Sequence, residues 1–393
     1  MRNKDKKKTG RCLSPSFRKG NVIKDNLDED SDYGDFKINL IEAEEDEEES
    51  KSPSPQKRKP DKKKSKESST INTINISSIK NNTEQTIKEK KTVNALKEGR
   101  VKNVGSYSQA GKSEDGFTKI NQDSFLVLQS EYNLKDFNIF CVMDGHGING
   151  HLVSRYLMKY INLFFKNNKK MNASNQNEDS IYQRLKKSDY HILRRLFRHA
   201  ERDLHKKSKI DANFSGTTCV MVAQIGDRFI CANIGDSRAI MIKTGNEIVP
   251  LSIDQKPDDP EESKRIVQNG GEISQYEENG EKSGPYRIWK KGEVYPGIAM
   301  SRSVGDFIAT SLGVVPEAKF IEEKIDQDCK FIVVASDGIW EFLDNKRVGE
   351  IVMPYYKNDD PDGACKALIK EATEWWNKED IVVDDITVVV VFF

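Results

Sequence analysis

The chain has 393 residues, room for roughly two or three average domains, and its 63 basic and 63 acidic residues cancel, so no net field favours nucleic acid or an anionic membrane as partner. No apolar stretch approaches the roughly 20 residues that cross a bilayer, and the charged start at residues 2–8, with no apolar run behind it, predicts no secretory signal. The six cysteines form no C-x-x-C pair, and Cys141, Cys219 and Cys231 lie within apolar runs, so they read as reduced core residues of a cytoplasmic or nuclear protein.

Residues 1–91 are rich in Lys, Asp, Glu, Ser, Asn and Pro and carry few large apolar groups. Such a segment buries too little surface to offset its ordering entropy, which predicts a disordered tail with segregated charge: basic 4–8, acidic 42–49 and basic 57–66. Two readings stand for the last block, plain solvated chain or a nuclear-import or docking signal. Ser14, Ser52 and Ser54 each precede proline, a context open to proline-directed kinases.

From about residue 92 one system of apolar runs continues to the end, which predicts a single large domain over 92–393. Asn121-Gln122-Asp123-Ser124 begins a strand. Residues 137–143 have the length and the β-branched and aromatic content of a buried strand. That run stops abruptly at Asp144-Gly145-His146-Gly147. The glycines let backbone approach an ion or turn with positive φ, Asp144 offers a hard oxygen, and His146 a proton. By itself the run fits a turn after a core strand as well as a site. Leu152, Tyr156, Tyr160, Ile161 and Phe164 recur at helical spacing, predicting a helix to about residue 165, then an Asn-rich loop at 166–179. Ile192, Leu193, Leu196, Phe197, Ala200 and Leu204 mark a second amphipathic helix whose Arg and Lys face reads as solvated surface.

Residues 217–225, 229–234 and 238–243 read as strands, the first two joined by a hairpin at Gly226-Asp227. The turn at Gly235-Asp236 is expected to bring Asp236 to the sheet edge near Asp144. Prolines and acidic groups at 256–261 open a short helix that Gly270-Gly271 closes. A polar segment follows at 272–296. Residues 331–335 form another strand ending at Ser336-Asp337, then come helices at 346–356 and 363–376 and a last strand at 386–393.

Seven motifs stand in one order: Asn121-Gln122-Asp123-Ser124, Asp144-Gly145-His146-Gly147, Ser215-Gly216-Thr217-Thr218, Gly235-Asp236-Ser237-Arg238, the run P-G-I-A-M-S-R-S-V-G-D at 296–306, Ser336-Asp337-Gly338-Ile339-Trp340-Glu341, and Asp384-Asp385-Ile386-Thr387. Together they resemble the metal-dependent protein serine/threonine phosphatases of the PP2C type (PPM family). The resemblance implies an α+β fold, two packed antiparallel β-sheets flanked by α-helices on both faces, with carboxylates meeting at one edge. Hairpin-linked strands and paired helices agree with it, since they exclude strict β-α alternation.

The same resemblance implies hydrolysis of phosphoserine and phosphothreonine by a water or hydroxide bridging two divalent metals, Mg²⁺ or Mn²⁺, with His146 as general acid. Asp144 would bridge the ions at the catalytic centre, the Gly145 carbonyl would complete one shell, Asp123 would contact metal-bound water, and Asp337 and Asp384 would hold the other ion. A third, weaker ion would sit on Asp236, Asp337 and Glu341. An all-oxygen set selects such hard ions over zinc. Thr118 stands where the family often has a phosphate-binding arginine, and Lys119 is the nearest cation. On the flap at 272–296, Arg287 would contact phosphate or substrate, and Trp289 either touches substrate or packs against the body. Asp385 stands where asparagine is usual. Within 92–393 no cysteine stands in the C-x5-R arrangement of a phosphocysteine nucleophile; the one such spacing, Cys12 to Arg18, lies in the charged tail. The implied partners are phosphorylated proteins, with no nucleic acid and no membrane, and the implied state is a monomer. Two alternatives are an inactive binding module on the same fold and a phosphohydrolase of non-protein substrates.

Overall fold

A computed structural model describes residues 99–167, 177–278 and 280–393. The expected tail at 1–91 and the middle of the loop expected at 166–179 lie outside these residues. The strands are β1 (Asn103–Gln109), β2 (Ser124–Leu128), β3 (Phe137–Met143), β4 (Gly145–His146), β5 (Gly216–Thr217), β6 (Cys219–Ile225), β7 (Arg228–Ile234) and β8 (Arg238–Lys243). They continue as β9 (Ile248–Pro250), β10 (Gly271–Glu278), β11 (Glu281–Lys290), β12 (Pro296–Ile298), β13 (Val304–Gly305), β14 (Lys319–Lys324), β15 (Cys329–Ala335) and β16 (Ile386–Phe392). The helices are α1 (Gly150–Asn167), α2 (Glu178–Lys187), α3 (His191–Lys207), α4 (Pro260–Gln268), α5 (Phe307–Thr310), α6 (Asp337–Trp340), α7 (Asn345–Lys357) and α8 (Pro361–Glu379).

Two antiparallel five-stranded sheets carry the fold, in the orders β1-β16-β15-β8-β9 and β14-β7-β6-β3-β2. Side chains alternate across a strand, so a strand covered on both faces must be apolar throughout. In β16, Val389 and Val391 enter the core between the sheets, where they meet Phe140, Val142, Val220 and Val222. Val388, Val390 and Phe392 point the other way, against Val348 and Val352 of α7 and Leu368 and Ala372 of α8. On the far side of the second sheet, Phe137 meets Phe165 of α1 edge to face at 6.2 Å. Tyr182 of α2 donates to Glu322 of β14 at 2.5 Å. Helices thus flank both sheets.

The hairpin expected at Gly226-Asp227 is present, with Ile225 paired to Arg228 and Gly226 at φ 63°. Three features depart from the expectations. Helix α2 falls where only the end of a polar loop was foreseen; Asn177 and Ser180 cap it reciprocally, and Ile181, Tyr182 and Leu185 bury one face. The run 217–225 is two strands, because Thr217 pairs with β4 and β13 while Cys219 onward pairs with β3 and β7. The polar segment 272–296 is largely the β10–β11 hairpin, to which β12 adds.

Candidate active site

Strand β3 delivers Asp144 to the edge of the second sheet, and the short sheet β13-β5-β4 holds the turn that follows. Thr217 and Thr218 grip the Asp144 backbone. The Asp144 N–H donates to Thr218 Oγ1 at 3.0 Å, and its carbonyl accepts from Thr218 N at 2.9 Å and Thr217 Oγ1 at 3.0 Å. Thr218 Oγ1 also lies 2.7 Å from Ser237 Oγ, which ties this clamp to the Gly235-Asp236 turn. Gly145 leaves no room for a Cβ, which would strike the carbonyls of Gly150 and Gln122.

Asp337 opens α6, close enough to Asp144 that its charge acts on the Asp144 carboxyl. Burial, then the charges of Asp337, Asp123 and Asp384, hold the Asp144 carboxyl well above its ordinary range. Burial, then Asp236 and Asp384, push Asp337 up to about 7. Asp123 accepts from Ser336 Oγ at 2.8 Å, yet burial and the charges of Asp385 and Asp384 still push it up to about 8. Asp384 is half-exposed and accepts from Lys119 Nζ at 3.1 Å. Five of the expected ligand positions, Asp123, Asp144, Gly145, Asp337 and Asp384, are therefore drawn into one neighbourhood, with Lys119 beside them.

Asp236 is buried nearby, with Oδ2 2.5 Å from Lys256 Nζ. Glu341 sits exposed immediately after α6. Arg287 stands on β11 and donates to the Gly297 carbonyl at 2.7 Å, so its guanidinium is engaged within the flap. Trp289 packs over Gly297 and donates to the Ser274 carbonyl at 3.0 Å. The Asp385 carboxylate is held by backbone, its oxygens accepting from Gly111 N at 2.7 Å and Gln122 N at 2.8 Å.

His146 Nε2 lies 2.6 Å from Asp306 Oδ2. Burial disfavours the imidazolium, but the Asp306 charge and hydrogen bond outweigh it and raise the His146 pKa. Asp306 adopts φ 48° at the head of α5, and its carboxylate occupies the space a side chain at Gly216 would fill. No role for Asp306 or Lys256 was foreseen. Asp306 belonged to a recognised motif, while Lys256 had no local signal at all.

Buried polar atoms without hydrogen-bond partners are expensive and call for a ligand or solvent. Asp123 Oδ1, Asp236 Oδ1, Asp337 Oδ1 and His146 Nδ1 are such atoms. Among the described residues no three His, Cys, Asp or Glu side chains form a closed metal cage. The donor set nevertheless fits hard divalent cations, because every available acidic ligand is an oxygen and the carboxylates repel one another.

The family profile described as "Protein phosphatase 2C" matches residues 107–381. The chain is 32% identical over 302 residues to "Probable protein phosphatase 2C 35" of Arabidopsis thaliana, covering 72% of this chain and 82% of that protein. It is 31% identical over 291 residues to "Probable protein phosphatase 2C 34" of the same plant, covering 72% and 79%. A crystal structure of serine-threonine phosphatase 2C from Toxoplasma gondii superposes with a TM-score of 0.61 at 19% identity, over 74% of this chain and 94% of that one. At that identity the likeness speaks for the fold alone.

Proposed function

Because the chain belongs to the protein phosphatase 2C family of protein serine/threonine phosphatases, we propose that its buried carboxylates hold divalent metal for the hydrolysis and that His146 protonates the departing serine or threonine oxygen. Asp123, Asp144, Asp337, Asp384 and the Gly145 carbonyl would hold Mg²⁺ or Mn²⁺. When bound, such an ion lowers the pKa of a water from about 15.7 toward about 7 and polarises phosphoryl oxygens.

The protein's own groups then have distinct tasks. The threonine clamp fixes the Asp144 backbone at the end of β3 and so sets where its side chain starts. Asp306 holds His146 through Nε2, which leaves Nδ1 as the nitrogen that hands a proton to the leaving alkoxide; a positioned acid of this kind contributes about 10²–10⁴-fold. Lys119, beside Asp384 at the partly open side, suits the phosphate oxygens as a point charge. Arg287 would have to release Gly297 to join it.

The observation that carries this reading is the set of buried, unpartnered oxygens on Asp123, Asp236 and Asp337 among carboxylates that raise one another's pKa. A divalent cation relieves both costs. The test is turnover of a phosphothreonine peptide with Mn²⁺, with excess EDTA, and in Asp337→Asn. Activity that needs Mn²⁺ and disappears in the variant is expected. Full activity after exhaustive chelation, in protein shown to hold no divalent metal, overturns the metal assignment.

A further inference from the structure

Gly305 and Asp306 stand one after the other with positive φ, at 96° and 48°. That backbone is unfavourable for an L-residue such as Asp306 and persists only where its surroundings hold it. The turn has a consequence for the site, because it carries the Asp306 carboxylate across Gly216 and onto His146 Nε2. Two backbone N–H groups anchor it. Asp306 N donates to the Ser215 carbonyl at 2.9 Å, continuing the pairing of β13 with β5. Gly305 N donates to Glu201 Oε2 at 2.8 Å, a side chain that arrives from α3, 104 residues earlier.

One helical turn beyond Glu201, the His205 ring lies over Phe307 with 4.5 Å between centroids. Helix α3 therefore grips the residues on both sides of Asp306. Burial pushes the Glu201 carboxyl up to about 8 against its hydrogen bond, and the charges of Asp306 and Glu317 add to the rise. Near neutral pH the side chain is mostly neutral. It serves the turn as a hydrogen-bond acceptor and not as a second charge beside Asp306.

We propose that Glu201 is a positioning residue for the general acid: from α3 it fixes the turn at 305–306, so that the Asp306 carboxylate stays on His146 Nε2 and Nδ1 stays directed to the leaving oxygen. The inference rests on His146 being that acid. Glu201 touches neither substrate nor metal, so its whole effect runs through Asp306. Its loss should weaken protonation of an alkoxide and leave the departure of a phenolate nearly untouched, since a phenolate leaves with little help. A loss of about tenfold in kcat is expected, part of the 10²–10⁴-fold that a positioned acid contributes.

The test compares a phosphoserine peptide with p-nitrophenyl phosphate, using the full chain with Mn²⁺. Glu201→Met keeps the length of the side chain and removes the acceptor; Glu201→Ala is a second truncation that lets solvent meet the Gly305 N–H, and melting curves show which variants fold. Either truncation is expected to lose about tenfold in kcat on the peptide and less than about threefold on the aryl ester. Glu201→Gln, which keeps an acceptor oxygen without the charge, should restore the peptide rate. In an Asp306→Asn background the truncation should cost almost nothing further, because two residues acting through one contact are not additive. Equal losses on both substrates overturn the proposal, as does a Gln variant as slow as the truncations, or a truncation effect that persists undiminished beside Asp306→Asn. His146→Gln separates the two levels: if it slows both substrates equally, the acid assignment falls and this inference with it, whereas a split in His146→Gln without one in the Glu201 truncations overturns this inference alone.

Discussion

His146 Nε2 and Asp306 Oδ2 lie 2.6 Å apart across 160 residues of sequence. Asp306 is almost fully buried, so its charge acts on the imidazole with little screening. A raised imidazole pKa keeps the acid protonated to higher pH; without the carboxylate, protonation is lost earlier as pH rises.

Asp306→Asn is therefore expected to lower kcat on phosphoserine peptides by about 10²-fold or less near neutral pH, within the range of a general acid. The alkaline limb of the pH–rate profile should move to lower pH. Aryl phosphates, whose phenolate leaves with little help, should lose far less, and His146→Gln should show the same split. Steady-state kinetics on both substrate types check this, and equal losses on the two would remove the acid role.

The buried acids predict how pH and metal act on stability. Asp123 at about 8 and Asp337 at about 7 stand above their unfolded values near 3.9. Between those limits the folded chain binds more protons than the unfolded one, so stability falls as pH rises, and the full penalty is reached above about 8. Burial also pushes Glu201, which accepts from Gly305 N, up to about 8 and adds in the same direction. Metal-free protein is expected to melt at lower temperature at pH 8.5 than at pH 5.5, and Mn²⁺ to raise the Tm more at the higher pH. Scanning calorimetry at both pH values decides it; a Tm that climbs with pH without metal contradicts the assignment.

Asp385 predicts a stability change even for the near-isosteric carboxamide. Its two oxygens accept backbone N–H groups from Gly111 and Gln122. An asparagine has one acceptor oxygen and would aim its NH₂ at the other N–H. Asp385→Asn is expected to cost about 1–3 kcal/mol, the penalty of one unsatisfied buried donor. Urea unfolding measures it, and an unchanged midpoint would show that the loop carrying Gly111 and Gln122 adjusts freely.

Lys256 bears on the third ion expected at Asp236, Asp337 and Glu341. Its ammonium is bound to one oxygen of Asp236, and the other oxygen is buried without a partner. A cation is therefore already supplied by the chain at this position. Lys256→Met should strengthen or add one Mn²⁺ binding event in calorimetric titration, while Asp236→Asn should remove the weak event and spare the tight ones. Identical isotherms for wild type and both variants would leave Asp236 and Lys256 as a simple ion pair.

The local chemistry of the chain determined most of its elements, and the order of its motifs, through the family resemblance, supplied the ligand candidates. Strand β3 runs from Phe137 to Met143 as the apolar run predicts, and Gly226-Asp227 makes the expected hairpin, because periodicity and turn chemistry are read within a few residues. Helix α2 was legible in principle from the Asn177 and Ser180 cap, but its polar surroundings masked a face of only three buried residues. Tertiary structure alone decided the partners. Asp306 reaches His146 because β13 pairs with β5 and β5 with β4. Lys256 reaches Asp236 because the Gln255 side chain accepts from the Gly235 N–H at 2.7 Å, bringing that segment against the turn. Asp385 finds its donors at Gly111 and Gln122, across more than half of the chain. Such pairings follow from strand order and register, so a residue's neighbours in sequence carry almost no trace of them.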